Sequence, residues 1–408
     1  MYPVTELFAE KIKENNRVFQ CKVQIQHSQG VLDLTDKDLV LGSLLLAESS
    51  QAGDEFTVGG TVAADLSLSF LNKSEYEDIE FEGATVIPQV ALLLSVGLDT
   101  ENYSLSAPHP SEFEEGEGQE YWEWVPLGVF NIDDPVKLRN TIRIKAIDNM
   151  IKFDKPYNLS QLSYPATLYQ IYVNACNVCD VNVATLDFPN KDYVVQERPD
   201  RDYTFRDIIG YVAELAGCFA KCNRTGALEI RWYENTGLEL GPMNRFDFKP
   251  KDYQVKIKGI MATVDDTVYL TGTDDYAIDL SDNPLLQSDY ETVLPNILNH
   301  IGNTVFTPCD SRWQGNPAVM AGDLVNHTDR DGNEYATLIT HSTYKYRGAS
   351  TMSAKGLPER ARGFKGSTNK KIAQIKRKIE KEVGNRLTTL EQAQLDATEL
   401  IANMLGGY

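Results

Sequence analysis

Three stretches in the first 150 residues alternate apolar and polar side chains without a break: Phe19-Gln-Cys-Lys-Val-Gln-Ile-Gln26, Asp65-Leu-Ser-Leu-Ser-Phe70 and Thr141-Ile-Arg-Ile-Lys-Ala146. Successive side chains of a strand point to opposite faces, so this pattern puts one face in a core and the other in water. A helix would scatter the same residues around its axis and bury nothing well. Further apolar runs at Leu39 to Leu46, Val86 to Val96 and Leu127 to Ile132 lie between turn-rich segments. Together they predict a closed or nearly closed antiparallel β unit, barrel or sandwich, over residues 1–155, entered through a short helix capped by Thr5 with Leu7, Phe8 and Ile12 on one side.

The period then changes. Leu168, Ile171, Tyr172 and Ala175 recur at helical spacing after Pro165, which suits a first helical turn. Thr204 caps a second predicted helix whose Ile208, Ile209, Val212, Leu215 and Ala216 form an apolar stripe ending at Gly217. The turn Asn223-Arg-Thr-Gly226 leads into an alternating strand, Ala227 to Trp232, so residues 156–245 read as α/β. Strand-like runs return over 246–348, for example Gln254 to Lys258 and Thr267 to Leu270, with a hairpin turn at Asp331-Gly332 before Tyr335 to Thr340. A helical insertion at 283–305 places Leu294, Ile297, Leu298 and Ile301 on one face despite Pro295. Residues 349–369, rich in Gly, Ser and Lys, read as a linker.

Over 370–408, Ile372, Ile375, Ile379, Val383, Leu387 and Leu390 keep three- and four-residue spacing among charged neighbours, an imperfect heptad that predicts an oligomerising, coiled-coil helix. A single amphipathic helix lying on its own chain fits the same periodicity. From Lys355 onward eleven Lys and Arg face six Asp and Glu, whereas the whole chain carries a formal charge of -20. The last residues, Leu405-Gly-Gly-Tyr408, read as an abrupt stop within a longer natural chain. The expected class is α+β, mainly β: two β-barrel-like domains, an intervening α/β domain and a C-terminal amphipathic helix.

Charge limits the function. An excess of 59 Asp and Glu over 39 Lys and Arg repels phosphate backbones and anionic lipids, which argues against nucleic-acid binding through a basic face. The first 18 residues lack the apolar core of a secretory signal. The longest apolar stretch, Val90 to Leu98, is broken by Ser95 and Gly97 and falls far below the ~18 residues that span a bilayer, so no stable membrane anchoring is expected. Six cysteines are too few for a disulfide scaffold in a chain of 408 residues.

None of the common catalytic signatures occurs, neither HExxH, GxSxG, a P-loop nor GxGxxG, and no cofactor is expected. His27, His109, His300, His327 and His341 are scattered, with no second His or Cys at metal-ligand spacing. Cys176-x-x-Cys179 and Cys218-x-x-x-Cys222 have zinc-like spacing. They lie on apolar stretches without the Gly or basic flanks of zinc turns, which favours buried free thiols. Glu112, Glu114, Glu115, Glu117, Glu120 and Glu123 crowd a segment that also holds Tyr121, Trp122 and Trp124. Paired carboxylates beside aromatics offer a glycosidase cleft, or a sugar platform on Trp122 and Trp124. A solvated acidic loop anchored by the two tryptophans is the simpler expectation. Asp329-Arg-Asp-Gly-Asn-Glu334 lacks the later Glu of a calcium loop and reads as a hairpin turn, and Asp133-Asp134 and Asp265-Asp266 read as turn pairs.

The order of parts, with several specific stretches, resembles the trimeric hub proteins of bacteriophage tails and phage-tail-like particles. The stretches are Leu127-Gly-Val-Phe-Asn-Ile132, Ile142-Arg-Ile-Lys-Ala-Ile-Asp-Asn-Met150, Lys152-Phe-Asp-Lys155, Thr204 to Ala216 closed by Gly217, Asn223-Arg-Thr-Gly-Ala-Leu-Glu-Ile230 and Gly315-Asn-Pro-Ala-Val-Met-Ala-Gly-Asp323. The resemblance spans roughly residues 10 to 345. It implies a non-enzymatic virion protein, made in a bacterial cytoplasm, whose homotrimer presents six quasi-equivalent β units to a hexameric tail tube. Expected partners are the distal tail or tail-tube hexamer, the tape-measure protein and tail-tip fibre, spike or receptor-binding proteins. Duplex DNA would pass an acidic channel without specific binding. Many relatives carry a C-terminal peptidase or receptor-binding extension, and nothing of that kind follows Tyr408 here. Two other readings compete, a tail-associated cell-wall hydrolase and a carbohydrate-binding tail-tip protein, both resting on the Glu112 to Trp124 segment.

Overall fold

Hydrogen bonding joins strands from distant parts of the chain into one 13-stranded sheet, and this sheet organises the molecule. The computed structural model describes residues 1–96, 113–116, 120–199, 202–264, 267–302 and 304–357. Within them the sheet runs in the order Arg245–Pro250, Cys309–Trp313, Ser350–Ala354, His341–Lys345, Leu45–Ser49, Asp65–Leu71, Thr141–Asp148, Phe130–Lys137, Thr85–Val96, Phe19–His27, Gly30–Thr35. Strand Glu120–Pro126 adds to Thr85–Val96, and Phe113–Gly116 adds to that. The seam between early and late chain is the antiparallel pair Leu45–Ser49 and His341–Lys345, with Ala47 opposite Thr343.

The fold is mainly β, as the alternation predicts, but the sheet is open rather than barrel-like. Among the described residues its end strands, Arg245–Pro250 and Gly30–Thr35, each pair on one side only. Period two marks which face is buried and carries no information about closure, so the barrel expectation went beyond its signal. The linker expectation at 349–369 is also corrected at its start. Ser350–Ala354 is an interior strand, and its alternate residues Ser350, Met352 and Ala354 are buried. Small residues there serve close packing, which composition alone cannot distinguish from a linker.

Three boundaries shift for local reasons. The run from Leu39 is interrupted by a turn at Val40–Ser43 with Gly42 at φ +69°, so the strand begins at Leu45. Leu127 to Val129 precede their strand, with Gly128 at φ +141°. Asp133 is the extra residue at an irregularity inside Phe130–Lys137, between Ile132, which faces Ala146, and Asp134, which faces Lys145, and not in a turn.

Helix α1 (Glu6–Lys11) starts at Thr5, whose hydroxyl accepts from Phe8 N at 3.1 Å. Helix α2 (Leu168–Cys179) begins three residues after Pro165, because Thr167 and Gln170 form a reciprocal capping box. Helix α3 (Phe205–Leu215) has the same device in Thr204 and Asp207, and it buries Ile208, Ile209, Val212 and Leu215 as its stripe predicts. Gly217, at φ +66°, ends it. A Cβ there would lie 3.2 Å from methyls of both Ile297 and Ile301, so this glycine also admits helix α4 (Tyr290–Ile301). No described helix is long and apolar enough to cross a membrane.

Two large cores result. One lines the sheet's inner face with Val23, Ile25, Leu66, Phe70, Ile142 and Ile144. The other gathers α2, α3, α4 and the hairpin Phe219–Cys222 with Leu228–Arg231. Phe56, fully buried, reaches this second core from the loop after Leu45–Ser49 and meets Phe306 with ring centroids 4.9 Å apart. Residues 1–357 form one packed unit.

Candidate functional site

The most concentrated chemistry in the described residues is a buried set of charges where the sheet meets the hairpin. Leu44, Leu46 and Glu48 share the inward phase around one strand, so Glu48 points into the core where an apolar residue is expected. The hairpin supplies its counter-charges. Lys221 Nζ donates to Glu48 Oε1 at 3.1 Å, and Arg224 Nη2 donates to Glu48 Oε2 at 3.2 Å. All three side chains are under a tenth exposed.

The turn aims Arg224 inward. Asn223 Oδ1 accepts from Thr225 N, Thr225 Oγ1 and Ala227 N at 2.8 to 3.1 Å, an Asx turn that fixes the loop. Gly226, at φ +80°, leaves room for Asn149, whose Nδ2 donates to Gly226 O at 2.8 Å and would lie 2.7 Å from a Cβ. Arg224 Nη1 donates to Leu127 O, and Nη2 also reaches Val319 O at 3.5 Å. Lys221 Nζ reaches Ala321 O at 3.4 Å. At the start of strand Asp323–Thr328, the fully buried Asp323 accepts from Arg231 Nη2 at 3.3 Å and from Met320 N at 2.9 Å.

Four stretches that carry the family resemblance therefore meet here: 127–132, 142–150, 223–230 and 315–323. Burial pushes the Glu48 carboxyl up, but Arg224 and Lys221 together outweigh it and hold the group below the usual carboxylate range. Asp148 accepts from Met150 N at 3.0 Å, and burial outweighs its backbone hydrogen bonds and the pull of Lys221, raising its carboxyl to about 7. The arrangement matches each buried charge with an opposite one and ties distant chain segments together. Removing one member leaves its partner buried and unpaired, which is the costly case.

The residues singled out by sequence lie elsewhere. Cys176, Cys179, Cys218 and Cys222 are free, buried thiols in the helical core. Burial pushes Cys176 and Cys218 up to about 12 and Cys179 to about 11. Among the described residues, no group of three or more His, Cys, Asp or Glu is arranged to hold a metal ion. Trp122 and Trp124 are each 5% exposed, packed with Ala91 and Leu93, and Lys22 Nζ lies 4.1 Å from the Trp124 ring centre. Glu123 is fully buried on the opposite face and accepts from Thr5 N at 2.9 Å and from the Thr5 hydroxyl, while Glu120 accepts from Trp122 Nε1 at 3.2 Å. These carboxylates position α1 and a tryptophan. They do not converge as a pair.

Asp329 accepts from Asp331 N and Asn333 N at 2.9 and 2.8 Å, the hairpin turn expected there. His327 is buried against Phe248, with ring centres 4.3 Å apart and Arg245 Nη1 3.3 Å from its Nδ1; burial, then Arg245, push it down to about 3. His300 Nε2 lies 3.5 Å from Cys218 Sγ, and His341 Nδ1 lies 3.0 Å from Thr340 Oγ1. Asp265-Asp266, His109, Glu112, Glu117 and the interface positions Ile372, Ile375, Ile379, Val383, Leu387 and Leu390 lie outside the described residues.

Glu48, Asp148, Lys221, Arg224 and Asp323 were not singled out from sequence as a site. The available signal was phase: Glu48 continues the inward register of Leu44 and Leu46.

No family model and no curated protein matches the chain. Among solved structures, prophage tail protein gp18 from Listeria monocytogenes EGD-e is similar at a TM-score of 0.50 and 11% identity, covering 85% of this chain and 100% of that one. The 43 kDa tail protein of prophage MuSo2 from Shewanella oneidensis gives 0.49 at 13% identity, covering 82% and 98%. The tail protein from Neisseria meningitidis MC58 gives 0.49 at 10% identity, covering 82% and 96%. At such identities the likeness is one of fold, and the chain shares the fold of a phage tail protein.

Proposed function

We propose that this chain is a structural protein of a phage tail or tail-like particle, located in the virion tail, and that it acts there as a homotrimeric hub. The observation that carries the reading is the fold shared with the Listeria prophage tail protein over 85% of this chain and the whole of that one. The buried chemistry supports it, because the charged groups described above are spent on joining segments. In this reading three copies present six β units to a tube of hexameric symmetry, and the acidic balance of the chain keeps passing DNA from adhering. Tail-tube, tape-measure and tail-tip proteins are the partners. The hydrolase and sugar-platform readings lose support, since Glu123 is buried as an acceptor for Thr5 and neither Trp122 nor Trp124 offers an open face.

Light scattering on the full chain tests the hub. A trimer weighs about 137 kDa, three times 45.7 kDa. A strict monomer at every concentration removes the self-assembling hub. A chain ending after Leu357 keeps strand Ser350–Ala354, which a stop at Gly348 would delete. If that shorter chain no longer trimerises, residues 370–408 hold the register.

A further inference from the structure

The junction around Glu48 borders a cavity of about 10 Å³, lined by Ala64, Asp148, Lys221, Cys222 and Arg224 as well as Glu48. That is about the smallest space that can hold a water molecule. Its lining is mixed, with the four charged side chains beside Leu127, Val129, Phe130 and Met320, so it differs from the wholly apolar cavities that stay dry. Arg224 is 5% exposed, and its Nε–H finds no acceptor in the protein, although both terminal nitrogens are bonded. Asp148, 4% exposed, receives backbone N–H groups from Ala64 and Met150, and a carboxyl offers about four acceptor sites, so lone pairs remain. The residues that carry this donor and this acceptor both line the same small space.

Chemistry selects the occupant. A halide would satisfy Arg224 but face two carboxyl groups, and a cation would face Lys221 and Arg224. A molecule that accepts from one wall and donates to the other suits both. We propose that one water molecule is a fixed part of this junction, accepting from Arg224 Nε and donating to the Asp148 carboxyl. The inference is independent of the tail assignment, since it uses only the groups lining the cavity. The water completes the donors of Arg224 and connects the Glu48 ion cluster to the strand end at Asp148, so the clasp between sheet and hairpin is wet.

A high-resolution crystal structure of the full chain tests this directly. The expected result is a density peak within hydrogen-bond reach of both Arg224 Nε and an Asp148 oxygen. Ordered side chains around a cavity with no peak overturn the proposal. Oxygen-17 relaxation dispersion gives a second reading in solution, comparing the native chain with Ala64→Val, which places extra methyl volume against the cavity. One fewer long-lived internal water in a folded variant supports the site. An unchanged count, with thermal stability equal to or above that of the native chain, overturns it.

Discussion

Asp148→Asn isolates the energetics of the junction. The native carboxyl is raised from an ordinary 3.8 to about 7, chiefly by burial. The folded chain therefore holds this proton over a pH range in which the unfolded chain has lost it. Where the native state binds more protons, stability falls as pH rises, so this group's contribution is full below pH 4 and is lost as pH rises through about 7. Between pH 5 and pH 8 the two dissociation constants give a difference of about 2.5 kcal/mol in favour of the lower pH, at 1.36 kcal/mol per pKa unit. Asparagine keeps an oxygen for Met150 N, is neutral at every pH and should flatten that slope. Urea unfolding at fixed steps from pH 5 to pH 8 measures it. The variant should already exceed the native chain at pH 5, and by about 2.5 kcal/mol more at pH 8. An identical slope in both proteins would refute the assignment of this proton to Asp148.

Glu48→Gln keeps the side-chain shape but leaves Lys221 and Arg224 buried without a counter-charge, an expected loss of about 3–5 kcal/mol by urea unfolding. Phe56→Ala empties a fully buried ring site between Phe306 and Trp232, and calorimetry should show about 3–5 kcal/mol lost. Thr204→Ala removes the α3 capping box, for about 1 kcal/mol, and hydrogen exchange should quicken at the helix's first turn while α2 stays protected.

Local signals carried most of the elements that the sequence made readable. Thr204 through Gly217 states a helix's cap, stripe and stop in fourteen residues, and Asn223 to Gly226 states a turn, because each depends on near neighbours only. What stayed hidden depends on pairing across the chain. Nothing near Ala47 announces that its partner is Thr343, and the small residues of 350–354 look like a linker until strands flank them. The junction was hidden for a second reason. Single charges such as Lys221 and Asp323 resemble surface residues, and only their meeting with Glu48 and Arg231 makes burial tolerable. Trp122 and Trp124 failed as a platform because exposure depends on what packs against a strand, which alternation does not report.

The seam between Leu45–Ser49 and His341–Lys345 also sets a schedule for the newborn chain. Ser49 and His341, which face each other across it, are 292 positions apart, 341 minus 49. At synthesis rates of about 5–20 residues per second, one side of Leu45–Ser49 waits on the order of 15 to 60 s for its native neighbour. An unpaired strand is a template for wrong partners, and an inward-pointing charge is a recognised deterrent. Until Lys221 and Arg224 arrive, Glu48 places a naked carboxylate within that strand. The residue that later fastens the seam thus serves first as a guard on it, and a Glu48→Leu chain should aggregate during expression even where its folded form is stable.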